Sequence, residues 1–166
     1  MNAMDVLDVA PLDWHAILSC FVCALIIGFE RQLQGKAIGI RTSALICMGT
    51  YVFVAMTREV SNNVTDPSRI VGQVITGIGF LGAGVMMKHN GSVQGVTSAA
   101  SIWILAAVGV IIGMGYNLLG VKIAVLTVGI LVGVNWLENS FEFMQRGVHV
   151  KLEKRKERQK TPASED

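Results

Sequence analysis

The feature that most constrains this chain is the run from Asn90 to Val121, 32 residues without one acidic or basic side chain. A transmembrane helix needs about 20 mostly apolar residues. The run is too long for one such helix, and Gly113-Met114-Gly115-Tyr116-Asn117 offers a turn within it. It reads as a fourth membrane helix near 97–114 and the start of a fifth near 118–137, closed by Glu138. Three earlier apolar stretches have charged ends. They are Trp14 to Phe29 between Asp13 and Glu30, Thr42 to Thr57 between Arg41 and Arg58, and Ile70 to Met87 between Arg69 and Lys88. The expected fold is therefore all-α, a polytopic membrane helix bundle of about five transmembrane helices.

Composition agrees. The chain is 52% hydrophobic and 16% charged, where a soluble domain carries about 25% charged residues. That excludes an ordinary soluble enzyme fold and a disordered chain. The expected organisation is one transmembrane domain over 1–139 and a basic tail over 140–166. Part of the tail reads as an amphipathic helix, with Phe141, Met144, Val148 and Leu152 at helical spacing among basic residues. A basic tail also suits nucleic acid, but on so apolar a chain it marks the cytoplasmic side of a membrane, and no nucleic-acid partner is expected. The first charges are acidic and the apolar run starts late, unlike a signal peptide.

Five crossings divide the Lys and Arg residues unevenly. One side holds Arg58, Arg69 and Lys122. The other holds Arg31, Lys36, Arg41, Lys88 and seven basic residues of the tail, eleven in all. The positive-inside rule then places the N-terminus outside and the tail in the cytoplasm. The first two stretches hold 16 residues each, about 24 Å of helix against a core of about 30 Å. Their flanking charges must sit at the membrane edge or just inside it. Arginine reaches water by snorkelling, whereas the short Glu30 side chain does so poorly.

The densest polar stretch runs from Gly28 to Thr42. Glu30 and Arg31 are expected to close the first helix and Arg41 to open the second, so that both arginines hold Glu30 ionised. Two readings stand side by side: a cytoplasmic hairpin with positive-inside arginines, and an ion or partner site. A carboxylate at membrane depth favours the second. A further stretch begins at Asp66-Pro67, a helix start with Asp as N-cap and Pro in the first turn. There Asp66, Arg69, Gln73, Thr76 and Gly77 fall near one face. Gln73 requires that this face look into protein rather than lipid.

Gly77, Gly79 and Gly82 match a dinucleotide-binding fingerprint by letters only, since no strand precedes them. With Gly84, and with the pairs Gly109/Gly113 and Gly129/Gly133, they read instead as close helix-packing positions, some of them between copies in a homo-oligomer. Thr97, Ser98 and Ser101 open the fourth helix as hydrogen-bonding glue or as a substrate lining. Cys20, Cys23 and Cys47 read as small core residues, since three thiols give no disulfide framework and no second ligand pair. His15, His89 and His149 lack partners at ligand spacing, so no metal site and no cofactor is expected. No nucleophile–base constellation suggests catalysis.

Taken in order, these motifs resemble the MgtC/SapB family of bacterial inner-membrane proteins. The resemblance rests on Gly28-x-Glu30-Arg31, Lys36, Gly39-x-Arg41-Thr42, Asp66-Pro67-x-Arg69 with Gln73, and Thr76 to Gly84. It continues through Gly95, Thr97-Ser98-Ala99-Ala100 and Trp103, and covers roughly residues 14–137. Many members have Asn or Thr before Thr where this chain has Thr97-Ser98, and members related to the virulence factor often have Cys where it has Ile104. About 28 charge-rich residues follow the last span, so a short form without the ACT-like cytoplasmic domain of longer members is expected.

The resemblance implies a link to magnesium limitation, and to virulence in pathogens. It also implies a regulator acting through membrane partners such as the F-type ATP synthase or a transporter. The functional polar set expected is Glu30, Arg31, Arg41, Thr42, Asp66, Arg69 and Gln73. The rival reading is a transporter or channel for Mg²⁺ or another cation, lined by the same residues.

Overall fold

The computed structural model describes residues 8–60, 67–89 and 92–140. Its first helix, α1, spans Trp14–Leu33. The Asp13 carboxylate caps it by accepting the His15 and Ala16 N–H groups, each at 3.2 Å, which satisfies two donors that a helix start leaves free. The helix does not stop at Phe29. It takes in Glu30 and Arg31, which neutralise each other, and ends at a turn where Gly35 adopts φ 62°.

Helix α2 spans Ile40–Val60, and its first N–H is accepted by the Gln32 side-chain oxygen at 3.4 Å. Helix α3 spans Pro67–Val85. Proline suits that first position because its missing N–H costs nothing there. Asp66, expected as its cap, lies outside the described residues, as does the tail from 141 onward. A short antiparallel hairpin follows, β1 (Met87–His89) and β2 (Ser92–Gln94), with Lys88 opposite Val93. Strands of three residues are too short to leave a periodic signal, and the sequence reading had none here. The chain enters α4 (Val96–Gly113) through Gly95 at φ 87°. Helix α5 spans Asn117–Ser140. All five helices are long and apolar enough to cross a membrane.

The chain divides into two units, Met1–Val128 and Gly129–Asp166. In the first, α4 is the hub and packs against α1, α2 and α3. Its apolar residues run round its whole circumference, as a helix enclosed by others requires. The core joins Cys20 and Ile27 of α1, Cys47 of α2, and Ile102, Leu105 and Val108 of α4. All three cysteines are buried free thiols.

Gly109 and Gly113 bring the α4 backbone onto α2. A methyl group at Gly109 would lie 2.5 Å from the Cys47 carbonyl oxygen, and one at Gly113 would lie 2.7 Å from Val54. The Asp13 N–H donates to the Tyr51 hydroxyl at 2.9 Å, which ties the start of α1 to the second half of α2. One end of the first unit therefore gathers the start of α1 and the ends of α2 and α4. The 34–39 turn and the β-hairpin lie at the other, called the hairpin end below. In the second unit the described residues are the rest of α5, where Ile130, Val132 and Trp136 are exposed.

Candidate functional site

Adjacent residues of an α-helix point about 100° apart, so neighbouring side chains ordinarily diverge. Arg31 overcomes this by folding back along α1. Its Nε donates to Glu30 Oε2 at 2.5 Å and its Nη2 to Glu30 Oε1 at 2.7 Å. The two side chains are only 4% and 9% exposed. Removing both charges from water is costly, and two parallel charge-assisted bonds offset that cost. The guanidinium is not fully satisfied, because Arg31 Nη1 is buried with no hydrogen-bond partner among the described residues.

Close contact of α1 with α2 encloses this pair. A methyl group at Gly28 would lie 2.7 Å from Ile40 Cα and 2.8 Å from Ser43 Oγ. Ser43 is fully buried, and its hydroxyl is likewise without a partner among the described residues. The sequence reading passed over Gly28 as a contact and Ser43 altogether. The signal available was a glycine one residue before the end of an apolar stretch, with a serine just inside the next.

Arg41 and Thr42 do not join the Glu30–Arg31 pair. Both are exposed at the start of α2, and Lys36 is exposed in the preceding turn. The only ion pair among the described residues is Glu30 with Arg31. Arg69 and Gln73 are exposed on α3, along with Thr76, whose hydroxyl donates to the Gly72 carbonyl. Much of the α3 face expected to look into protein is thus uncovered on a single chain.

Gln73 does border a cavity. A groove of about 650 Å³ opens between α2 and α3, floored by Ile102 of α4. Thr42, Gly49 and Phe53 line it on α2, and Gln73, Gly77 and Val85 on α3. The groove forms because α2 and α3 both pack on α4 more extensively than on each other. Methyl groups at Gly49, Gly77, Gly79, Gly84, Gly129 or Gly133 would meet nothing within 4 Å among the described residues, whereas Gly82 faces Ala99 and Trp103. Among the described residues no cluster of three His, Cys, Asp or Glu side chains is placed to hold a metal ion.

Comparison with known proteins places the chain. The model of the MgtC family matches residues 17–140. The chain is 39% identical over 143 residues to YhiD of Escherichia coli (strain K12), whose name proposes magnesium transport, covering 82% of this chain and 65% of that protein. It is 38% identical over 117 residues to protein MgtC of Salmonella typhimurium, covering 69% of this chain and 50% of that one. It is 40% identical over 99 residues to protein MgtC of Brucella abortus, covering 60% and 41% respectively. The chain thus spans less than two thirds of the length of each of these relatives. No solved structure matches it. The match takes in all of α2 to α5 and all but the first turn of α1, with the buried Glu30–Arg31 pair and the groove, and the chain belongs to the MgtC family.

Proposed function

We propose that this chain is a non-enzymatic regulatory protein of the bacterial inner membrane that supports growth at low Mg²⁺ through contacts with membrane partners. The observation that carries this reading is the occupation of Glu30. Its two carboxylate oxygens are spent on Arg31, in a bidentate and buried pair. A hard cation takes several oxygen ligands, and a carboxylate held in this way is structural rather than a station for Mg²⁺. The polar residues of α3, by contrast, face outward as a surface on which another helix can dock. The family and the names of its relatives support the link to magnesium. The N-terminus is outside and the tail in the cytoplasm on the count of basic residues. Outward glycines such as Gly79 and Gly129 serve self-association, and the partner class implied is the F-type ATP synthase or a transporter.

Crosslinking in native membranes during low-Mg²⁺ growth, followed by mass spectrometry, tests this. The reading expects a membrane protein partner whose capture falls when Gln73 or Arg69 is replaced. Capture of nothing but lipid and neighbouring abundant proteins, unchanged in those variants, contradicts it. The second reading, a magnesium transporter, draws on the name of the Escherichia coli relative and on the Gln73–Thr76 stripe. Copies arranged around that stripe would line a path with amide and hydroxyl oxygens.

A further inference from the structure

The groove between α2 and α3 has a chemistry of its own, independent of the regulatory reading. Of its lining residues only Thr42, Thr50 and Gln73 have polar side chains, and the Thr50 hydroxyl already donates to the Ile46 carbonyl at 2.8 Å. Its walls are set back at Gly49 and Gly77, where an added methyl group meets nothing within 4 Å. The floor is closed by Ile102.

Length separates the candidate occupants. From Thr42 to Phe53 the groove follows α2 for about 16 Å, and from Ile70 to Val85 it follows α3 for about 22 Å, at about 1.5 Å per residue. Half of a bilayer core is about 15 Å deep, whereas a spanning partner helix runs about 30 Å. The α2 wall matches the depth of one leaflet, and neither wall reaches the length of a spanning helix.

Charge marks its head. Thr42 lines the mouth at the hairpin end, and its neighbour Arg41 is exposed there, as is Lys36 in the adjoining turn. Within the first unit the carboxylate described at this end is Glu30, which Arg31 neutralises. The mouth is therefore cationic over an apolar slot. Basic pockets between membrane helices recognise anionic lipid headgroups, and arginine pairs with phosphate through parallel hydrogen bonds.

We propose that this groove is a binding site for one anionic phospholipid, with an acyl chain between α2 and α3 and the phosphate on Arg41 and Thr42. Arg41 supplies the preference for an anionic headgroup. Gly49 and Gly77 supply the space for the chain. The occupied groove then presents a smooth apolar surface to the bilayer.

The test uses the purified full chain in mild detergent. Binding of phosphatidylglycerol and of phosphatidylcholine with identical acyl chains is measured by native mass spectrometry and by thermal shift. Phosphatidylglycerol is expected to bind about tenfold more tightly. Arg41→Gln should abolish that preference, weakening phosphatidylglycerol about tenfold more than phosphatidylcholine. Gly77→Leu should fill the slot and weaken both lipids, and Gly49→Leu should do the same from the other wall. Since neither new side chain meets protein at its Cβ, both variants are expected to fold, which far-UV circular dichroism checks.

Equal binding of the two lipids by the unaltered chain overturns the proposal. So does a preference that survives Arg41→Gln, and so does binding of both lipids that Gly77→Leu leaves undiminished. Glycerol phosphate, which has no acyl chain, should give no shift. A shift equal to that of the lipid assigns a free-phosphate site and refutes the groove. If Gly77→Leu dissolves a dimer without changing lipid binding, the occupant is a second copy and the lipid assignment is wrong.

Discussion

Gly109→Ala is the sharpest test of how α2 and α4 meet. The new methyl group would lie 2.5 Å from the Cys47 carbonyl oxygen, 2.8 Å from Thr50 Cβ and 3.1 Å from Tyr51 N. Nonbonded heavy atoms prefer about 3.5–4.0 Å, so the helices must part by about 1 Å. Two of the three neighbours are backbone atoms that no rotamer change can remove. Overpacking of this kind costs about 1–3 kcal/mol, and alanine returns up to about 1 kcal/mol of helix propensity. A net loss of up to about 2 kcal/mol follows from combining the two. Gly49→Ala is the control, because its methyl group meets nothing within 4 Å. It should be neutral, or stabilising by up to about 1 kcal/mol. Equilibrium unfolding in mixed detergent micelles, followed by circular dichroism, compares the two. If Gly109→Ala is as stable as Gly49→Ala, the α2–α4 contact described above is wrong.

Other outcomes follow from particular contacts. Glu30→Gln and Arg31→Met should each destabilise the chain by about 3–5 kcal/mol, since each leaves a group buried without its partner. Combining them should recover most of the loss in the same unfolding assay, and strict additivity would show that the pair is not coupled. Tyr51→Phe should cost about 1 kcal/mol by leaving the Asp13 N–H without its acceptor, with hydrogen exchange rising at the start of α1. Cys20, Cys23 and Cys47 are fully buried, so a bulky water-soluble maleimide should label none of them until the bundle is unfolded. Rapid labelling of Cys47 in the native protein would place its side chain outside the core that α2 shares with α1 and α4.

Much of the fold was legible because membrane spans announce themselves by composition over many residues. The charge-free run from Asn90 to Val121 and its break at Gly113–Asn117 marked α4 and α5 within a few residues. The apolar stretch ends at Phe29 because hydropathy treats Glu30 and Arg31 as two charges, while in three dimensions they form one neutral unit that the last turns of α1 bury, as their expected place at its end allowed. The β-hairpin escaped because its strands are three residues long.

Glycine patterns were ambiguous for a different reason. Gly109 meets the α2 backbone while Gly77 and Gly79 face open space, and nothing in the letters separates the two cases. Contact depends on which way a helix turns against its neighbours. The groove was invisible for the same reason, since it arises from the splay of α2 and α3 upon α4. Arg41 illustrates the limit for the site. Its position in sequence allowed a partnership with Glu30, but the adjacent Arg31 occupies that carboxylate and leaves Arg41 at the surface.

The central claim is that the buried Glu30–Arg31 pair is structural and that this protein acts by contact rather than as a conduit. Mg²⁺ flux into proteoliposomes holding the purified chain tests it most directly. The account predicts accumulation no faster than in protein-free liposomes, for the unaltered chain and for Glu30→Gln alike. Saturable Mg²⁺ uptake by the unaltered chain that is lost in Glu30→Gln, with the variant still folded, would contradict it.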